Sequence, residues 1–209
     1  MLLTRRVKGS TVATLVLGSA SPRRRELLSH LGLAFGLCEP VVDESRNAGE
    51  SPGDYLERIV LAKLGSVRGQ LSDRATAEHS WVLVADTIVV SPAGIVMGKP
   101  ATMLDASEML SALSGTTHEV ATRFILGAAR PSAATERAET VVTRVTFRRL
   151  TEGERTHYVA SREGFDKAGG YAIQGAAAAF VERIEGSYTN VVGLPLSELV
   201  VAMRDLGIR

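Results

Sequence analysis

Apolar positions along the chain alternate between strand-like runs and helix-like stripes. Leu15 to Leu17 predicts a short buried strand that enters a loop, and the valine-rich run from Trp81 to Val90 predicts a central strand buried on both faces. Between them, apolar residues recur at helical spacing from Asp54 to Leu71. The pattern therefore predicts helices that alternate with strands.

Capping signals and shorter apolar runs predict the remaining elements. Ser21 is a good N-cap and Pro22 suits the first helical position, so a helix is predicted to begin there and to end at Gly32. Further helices are predicted over Asp105 to Leu113, Glu152 to about Arg162, and Pro195 to Leu206. Further strands are predicted over Ile95 to Met97, Glu119 to Leu126, and Val141 to Arg149.

Two stretches interrupt this pattern. Gly127 to Thr140, rich in Ala, Arg, Pro and Ser, predicts a surface loop, and Gly164 to Gly175 predicts a glycine-rich loop. Residues 1–12 are predicted to be an N-terminal extension and residues 13–209 a single domain, because this length supports one sizeable core. The order of elements indicates the mixed α/β class.

Composition limits the partners and the cellular compartment that fit the protein. The formal charge of +1 does not suggest a nucleic-acid or membrane partner, so any charge-based function must be local. Cys38 is the only cysteine and no Cys/His spacing resembles a zinc site, which favours a reducing compartment. The start of the chain imitates a signal peptide, but its apolar run from Val12 to Leu17 is short. We expect a cytoplasmic protein without membrane spans.

Three consecutive arginines open the first predicted helix, at Arg23 to Arg25. Cations are unfavourable at this positive end of a helix, so the sequence suggests a bound anion. Free backbone N–H groups, the Ser19 and Ser21 hydroxyls and the guanidinium groups could together bind a triphosphate. The alternative is a solvated helix face whose arginines pair with Glu26 or with distant acids.

Two charges fall on otherwise apolar elements. Asp86 lies inside the strand from Trp81 to Val90, where a carboxylate needs a metal, a cation or a chemical role; satisfaction by local backbone donors is the alternative. Thr87 adds a hydroxyl on the opposite face. Lys63 lies in the apolar stripe of the long helix and should meet a phosphate or a carboxylate, unless it reaches the surface. Lys99, on a loop between Gly98 and Pro100, could reach the same phosphates.

The glycine-rich loop carries a candidate base-recognition residue. Its segment from Asp166 to Gly175 combines three glycines with polar residues and can bring backbone amides close to a ligand. Gln174 has a donor and an acceptor that could pair with the imide edge of uracil or thymine. The alternative is a flexible loop without a ligand. His118, His157 and Ser187 form no convincing triad and are assigned structural roles.

Taken together, several short segments resemble the Maf family in order and spacing. They are Ser19-Ala20-Ser21-Pro22-Arg23-Arg24, Ala85-Asp86-Thr87, Gly98-Lys99-Pro100, Ser114-Gly115 with His118, Asp166 to Gly175, Glu185 to Tyr188, and Asn190 to Pro195. The resemblance covers roughly Leu15 to Gly207, and the combination is highly specific although each segment alone is not.

This resemblance implies a two-lobed α/β fold with an elongated mixed sheet and a cleft between the lobes, related to inosine triphosphate pyrophosphatases. It also implies hydrolysis of nucleoside triphosphates to the monophosphate and diphosphate, in nucleotide-pool house-cleaning. By motif, Asp86 corresponds to the general base, and Arg23, Thr87 and Gln174 to specificity positions. Further active-site positions are matched by Arg24, Glu44, Lys63 and Lys99.

The form of the glycine-rich loop resembles the dTTP/UTP branch of the family. The resemblance implies Mg²⁺ or Mn²⁺ bound by Glu44 and Asp86, a nucleoside triphosphate as the ligand, and no nucleic acid or membrane; a homodimer stays open. The alternatives are a pyrophosphatase for CTP, modified pyrimidines or non-canonical purine nucleotides, and a nucleotide-binding regulator of cell division.

Overall fold

A computed structural model describes residues 14–71, 80–130 and 136–208. Its strands are β1 (Thr14–Gly18), β2 (Phe35–Leu37), β3 (Ser80–Val90), β4 (Val96–Met97), β5 (Thr117–Ala128), β6 (Glu136–Phe147) and β7 (Val181–Glu185). Its α-helices are α1 (Pro22–Ser29), α2 (Pro52–Leu71), α3 (Met103–Leu113), α4 (Glu152–Ser161), α5 (Tyr188–Val192) and α6 (Leu196–Asp205). The predicted N-terminal extension, residues 1–12, lies outside the described residues.

All seven strands form one mixed sheet in the order β2-β1-β3-β5-β6-β7, with β4 paired to β3. β1 is parallel to β2 and β3, whereas the pairs from β3 to β7 are antiparallel. β5 and β6 have 12 residues each, which at about 3.4 Å per residue makes the sheet roughly 40 Å long in the strand direction. The predicted mixed α/β fold with an elongated mixed sheet is confirmed.

β3 is covered on both faces, as its apolar sequence predicts. Val82 and Val84 pack with α2 on one face, in a cluster that includes Val67. Leu83 and Ala85 belong to the larger core on the other face, with α1 and α6. Because successive side chains of a strand point to opposite faces, Asp86 faces α2 and Thr87 faces the larger core.

Capping follows the predicted signals. The Ser21 hydroxyl accepts a hydrogen bond from the Arg24 N–H at the start of α1, and Thr151 and Glu154 form a capping box at the start of α4. The predicted helices and strands are therefore confirmed, with ends displaced by a few residues. β2, β7 and α5, which have five residues or fewer, were not predicted.

The predicted surface loop from Gly127 to Thr140 is largely wrong. β5 continues to Ala128, and β6 already begins at Glu136, so that only the few residues between them can connect the strands. The first half of β6 is mostly exposed and polar, which removes the alternation by which a strand is recognised. Pairing of Glu136 with Gly127 and an ion pair with Arg68 hold this end of the strand.

The sheet is interrupted beside the middle of β3. β1 pairs with β3 only as far as Val84, and β4 pairs with it again from Val89. Since β5 occupies the other edge of β3, the edge from Ala85 to Ile88 lacks a strand partner within the described ranges. This interruption exposes Asp86 and Thr87 to a cleft. No described helix is both long and apolar enough to cross a membrane.

Candidate functional site

A cavity of about 640 Å³ opens beside the interrupted edge of β3. All nine site residues predicted from the sequence line it: Ser19, Arg23, Arg24, Glu44, Lys63, Asp86, Thr87, Lys99 and Gln174. They come from α1, α2, β3 and four loops, so the tertiary fold brings together residues that are far apart in the chain.

A buried ammonium group joins two of the predicted carboxylates. Lys63 Nζ lies 2.7 Å from Asp86 Oδ1 and 2.7 Å from Glu44 Oε1. Lys63 is only 5% exposed, so its charge is stabilised by these two partners more than by water. Lys63 therefore contacts carboxylates and does not reach the surface, which was the alternative. Asp86 therefore has a cationic partner. The Glu44 side chain is more exposed to solvent than the side chain of Asp86.

On the other face of β3, Arg24 lies in a buried hydrogen-bond network. Its Nε donates to the Gly193 carbonyl at 2.8 Å, and its Nη2 donates to Thr87 Oγ1 at 2.9 Å. Thr87 Oγ1 also lies 2.9 Å from Thr122 Oγ1 on the next strand. Burial lowers the pKa of Arg24, although Asp86, 4.0 Å from Nη2, raises it. Arg24 therefore contacts groups from both faces of the strand.

The first turn of α1 faces the cavity with two of its three arginines. Arg23 and Arg24 line the cavity, whereas Arg25 is exposed and does not. Arg23 Nη1 lies 3.2 Å from Asp166 Oδ2, so this arginine also has the distant acidic partner that the alternative interpretation expected. Ser19 is buried, and its hydroxyl accepts a hydrogen bond from the Ser21 N–H. The helix end thus brings serine hydroxyls and two cations to one wall of the cavity.

The segment that carries Glu44 is anchored to α2. The Tyr55 hydroxyl donates to the Glu44 carbonyl at 3.0 Å, and Arg58 Nη2 donates to the Ser45 carbonyl at 2.9 Å. Arg58 also makes a bidentate contact with the Glu50 carboxylate, at 2.6 and 2.7 Å. Hydrogen bonding to Arg58 lowers the pKa of Glu50 to about 2. The Glu44 backbone is therefore held close to Lys63.

The two loops predicted to contact substrate lie side by side. The Gly169 N–H donates to the Gly98 carbonyl at 3.1 Å, which joins the glycine-rich loop to the loop of Lys99. Lys99 and Gln174 are both exposed, and both line the cavity. Their side chains are therefore free to approach a ligand from these loops.

His118 lies behind the glycine-rich loop. Its Nε2 is 2.8 Å from the Tyr171 hydroxyl, and its ring packs edge-on against Phe147 with centroids 5.0 Å apart. Burial lowers the pKa of His118 to about 4, so the imidazole is neutral near pH 7. The residue is a packing partner of Tyr171 and does not line the cavity.

The donor set fits a divalent cation that also binds substrate. Mg²⁺ is typically held by one or two carboxylates together with substrate phosphates and water. Asp86 and Glu44 supply two carboxylates that already share one cationic group, the Lys63 ammonium. Among the described residues, no group of three or more His, Cys, Asp or Glu side chains is arranged to hold a metal ion. The remaining ligands would therefore have to be phosphate oxygens and water.

Several contacts at the site were not predicted. They involve Asp166 with Arg23, the Gly193 carbonyl with Arg24, Tyr55 with Glu44, and Asn190, whose carbonyl accepts from Thr122. Asp166, Asn190 and Gly193 fall within segments that carry the family resemblance, which is the signal that could have identified them. Tyr55 has no such signal because it belongs to the apolar stripe of α2.

Comparisons with known proteins find sequence similarity over nearly the full chain. The sequence model of one family, Maf-like protein, matches residues 14–206. The dTTP/UTP pyrophosphatase of Hahella chejuensis is 46% identical over 195 residues, which cover 93% of each chain. The protein of the same name from Geobacter sulfurreducens is 46% identical over 193 residues, 92% of this chain and 96% of the relative.

Among solved structures, one match is a nucleoside-triphosphatase, dITP/XTP pyrophosphatase, from Mycobacterium abscessus. It covers 66% of this chain and 75% of its own, with 14% sequence identity and a TM-score of 0.39. The family relationship rests on the similarity of sequence over residues 14–206 and not on this partial structural overlap.

Proposed function

The chain belongs to the Maf-like protein family, and on this basis we propose that it hydrolyses dTTP and UTP to the nucleoside monophosphate and diphosphate. The observation that carries the proposal is the cavity, where a carboxylate of β3 lies among cations from separate elements: Arg23, Arg24, Lys63 and Lys99. The relatives with the name dTTP/UTP pyrophosphatase support the choice of substrate.

Asp86 is the proposed general base. Its carboxylate lies in the cavity, where it can take the proton from a water that attacks the α-phosphorus. The bond between the α-phosphorus and the bridging oxygen breaks, and diphosphate leaves. Asp86 and Glu44 would also hold a divalent cation. When bound, this cation supplies positive charge against the phosphate oxygens.

The arginines and lysines stabilise the charge of the triphosphate. Arg23 and Arg24 act at the start of α1, where the helix dipole also favours an anion. Lys63 and Lys99 approach from α2 and from the loop after β4. Negative charge on the leaving diphosphate grows during the reaction, so these contacts strengthen in the transition state. Ser19 adds a hydroxyl to the same phosphate-binding wall.

Gln174 is proposed to recognise the base, together with Thr87 and Arg23 as further specificity positions. The Gln174 amide has both a donor and an acceptor, as the imide edge of uracil or thymine requires. Its exposure in the cavity leaves this amide available. We also propose that residues 13–209 form a single domain of a cytoplasmic protein. One sheet that extends from β2 to β7 supports the single domain.

A panel of nucleoside triphosphates with Mg²⁺ or Mn²⁺ tests this function. We expect diphosphate and the monophosphate to be released from dTTP and UTP faster than from CTP or purine nucleotides. Asp86→Asn is the control for contaminating activity, because it keeps the shape of the side chain but removes the base. Higher turnover of another nucleotide would reassign the substrate, and no release from any would favour a nucleotide-binding regulator.

A further inference from the structure

The orientation of Gln174 depends on the backbone of the turn that carries it. Gln174 is exposed in the cavity and lies between Ala172 and Gly175, and the Gly175 N–H donates to the Ala172 carbonyl at 3.0 Å. One side-chain amide reads a base edge only if the backbone presents it at the right angle and distance. The groups that hold this turn therefore bear on base selectivity.

Two side chains outside the cavity hold the turn on both sides of Gln174. The Tyr158 hydroxyl accepts a hydrogen bond from the Ala172 N–H at 2.9 Å. Glu163 Oε2 accepts one from the Ala176 N–H at 3.1 Å. The Tyr158 hydroxyl in turn donates to Glu163 Oε1 at 3.0 Å, so the two side chains act as one unit.

The local structure is built around this pair. Tyr158 is 4% exposed and packs edge-on against Phe180, with ring centroids 5.2 Å apart. Burial raises the pKa of Tyr158, which keeps its hydroxyl a donor. A Cβ at position 175 would collide with the Glu163 carboxylate, so any larger residue there would displace this carboxylate.

The chain makes an unusual turn to reach this arrangement. Arg162, directly before Glu163, has a φ of 60°, and it is the only residue other than glycine with a positive φ among the described positions. Such a conformation is uncommon outside glycine and carries a conformational cost. It ends α4 and directs Glu163 toward the glycine-rich loop, while the Arg162 guanidinium lies 4.7 Å from the centroid of the Phe165 ring.

We propose that Tyr158 and Glu163 are positioning residues for base selectivity. They hold the Gln174 amide against the imide edge of thymine or uracil without touching the substrate. This inference rests on the proposed function, since it assumes that Gln174 reads the base. It extends the specificity determinants from one amide to two hydrogen-bonded side chains, one on α4 and one on the following loop.

The variant Tyr158→Phe tests the pair, because it removes one hydroxyl and keeps the ring. We expect the ratio of kcat/KM for dTTP and UTP over that for CTP to fall roughly two- to tenfold, the contribution of about one hydrogen bond between Gln174 and the base. The matched control Tyr188→Phe removes the hydroxyl of an exposed tyrosine on α5, outside this turn and the cavity lining, and should leave this ratio unchanged. Equal losses for all three nucleotides would overturn the proposal.

A double-mutant cycle separates positioning from support of the fold. In the Gln174→Ala background, Tyr158→Phe should no longer change selectivity, because the two residues act on the same hydrogen bonds. Independent, additive effects would overturn the proposal. Glu163→Gln provides a second test if Tyr158→Phe does not fold, since Glu163 is partly exposed.

The substrate preference of the parent enzyme distinguishes failure of this inference from failure of the proposed function. A parent that does not prefer dTTP and UTP overturns the proposed function and the positioning role with it. A parent that prefers them, with Tyr158→Phe and Glu163→Gln variants equally selective, overturns the positioning role alone.

Discussion

Lys63 Nζ lies 2.7 Å from Asp86 Oδ1, and this contact connects α2 with the interrupted edge of β3. Both residues are largely buried, with side chains 7% and 14% exposed. A buried charge that loses its partner is costly, so neither residue is independent of the other. The same ammonium also contacts Glu44, which makes it the centre of a group of two carboxylates and one cation.

Asp86→Asn should nearly abolish turnover while the fold survives. The amide matches the carboxylate in shape but cannot accept the proton, and loss of a general base costs about 10²- to 10⁴-fold. Release of diphosphate from dTTP, with circular dichroism as the check on folding, measures the effect. Activity within about threefold of the parent, well short of that scale, would remove Asp86 from the base role.

Lys63→Met should increase the affinity for a divalent cation in the absence of nucleotide. The ammonium now neutralises Asp86 and Glu44, so its removal leaves two neighbouring carboxylates without their cation. Titration with Mn²⁺, followed calorimetrically at fixed ionic strength, measures the dissociation constant directly. Turnover should fall at the same time, with a higher KM and a lower kcat, because a phosphate contact is lost.

The control for this experiment removes a cation from a different ion pair. Arg68→Met breaks the pair with Glu136 at the other end of the sheet and should leave Mn²⁺ binding unchanged. An unchanged or weaker Mn²⁺ affinity in Lys63→Met would contradict the prediction. It would mean that the two carboxylates do not form the cation site.

Arg23→Ala should raise KM and lower kcat together, with little change in thermal stability. The variant loses a charge that stabilises the leaving diphosphate. It also loses the ion pair with Asp166, but that pair is partly exposed, with side chains 29% and 66% accessible, and such pairs contribute about 0–1 kcal/mol. Removing a cation from the positive end of α1 offsets this loss. A large drop in melting temperature with unchanged kinetics would support a structural role.

The main elements and the candidate residues could be predicted because their signals are local. α2 and β3 are long and strongly patterned, so the positions of Lys63 and Asp86 on apolar elements are visible in the sequence. Their contact is not visible, since it requires α2 to pack on one face of β3. Arg23 and Asp166 likewise meet across 143 residues of sequence.

The missed elements lack such signals. β2 has only three residues, and α5 has five, which is too short for a helical period to be recognised. The first half of β6 is exposed and polar, and it is a strand because it pairs along the full length of β5. Tertiary pairing thus overrides local preference there. The contacts of Tyr158 and Glu163 could not be predicted from the sequence because both depend on a turn at Arg162.

Stability should fall as the pH drops from about 6.5 to about 4, in part because of His118. Burial lowers the folded-state pKa of His118 to about 4, whereas the unfolded value is about 6.5. Between these values the unfolded chain binds the proton more readily, so acid favours unfolding. The shift corresponds to a loss on the order of 3 kcal/mol across the window.

Urea unfolding of His118→Gln at several pH values between 4 and 7 measures this contribution. The glutamine can still accept a hydrogen bond from the Tyr171 hydroxyl, but it does not titrate. Its free energy of unfolding should therefore depend less on pH than that of the parent. His157→Gln, at an exposed position on α4, is the matched control and should follow the parent. Parallel curves for the parent and His118→Gln would contradict the assignment.

Gln174→Ala should cost dTTP and UTP more than it costs CTP. The amide is proposed to pair with the imide edge of thymine and uracil, which cytosine does not present in the same form. One well-formed neutral hydrogen bond contributes about 0.5–1.5 kcal/mol, so the preference should shrink only several-fold unless a buried partner is left unpaired. Comparison of kcat/KM for the three nucleotides, in the parent and in the variant, measures the change.

The same comparison tests which part of the substrate Gln174 contacts. Acceptance of both dTTP and UTP requires space for the thymine methyl group and no dependence on a 2′-hydroxyl, so the variant should lose activity toward both to a similar degree. The phosphate contacts of Arg24 and Lys63 come from α1 and α2 and should be unaffected. Equal losses for dTTP, UTP and CTP would mean that Gln174 positions the phosphate or the loop backbone, because a contact shared by all three nucleotides cannot distinguish their bases.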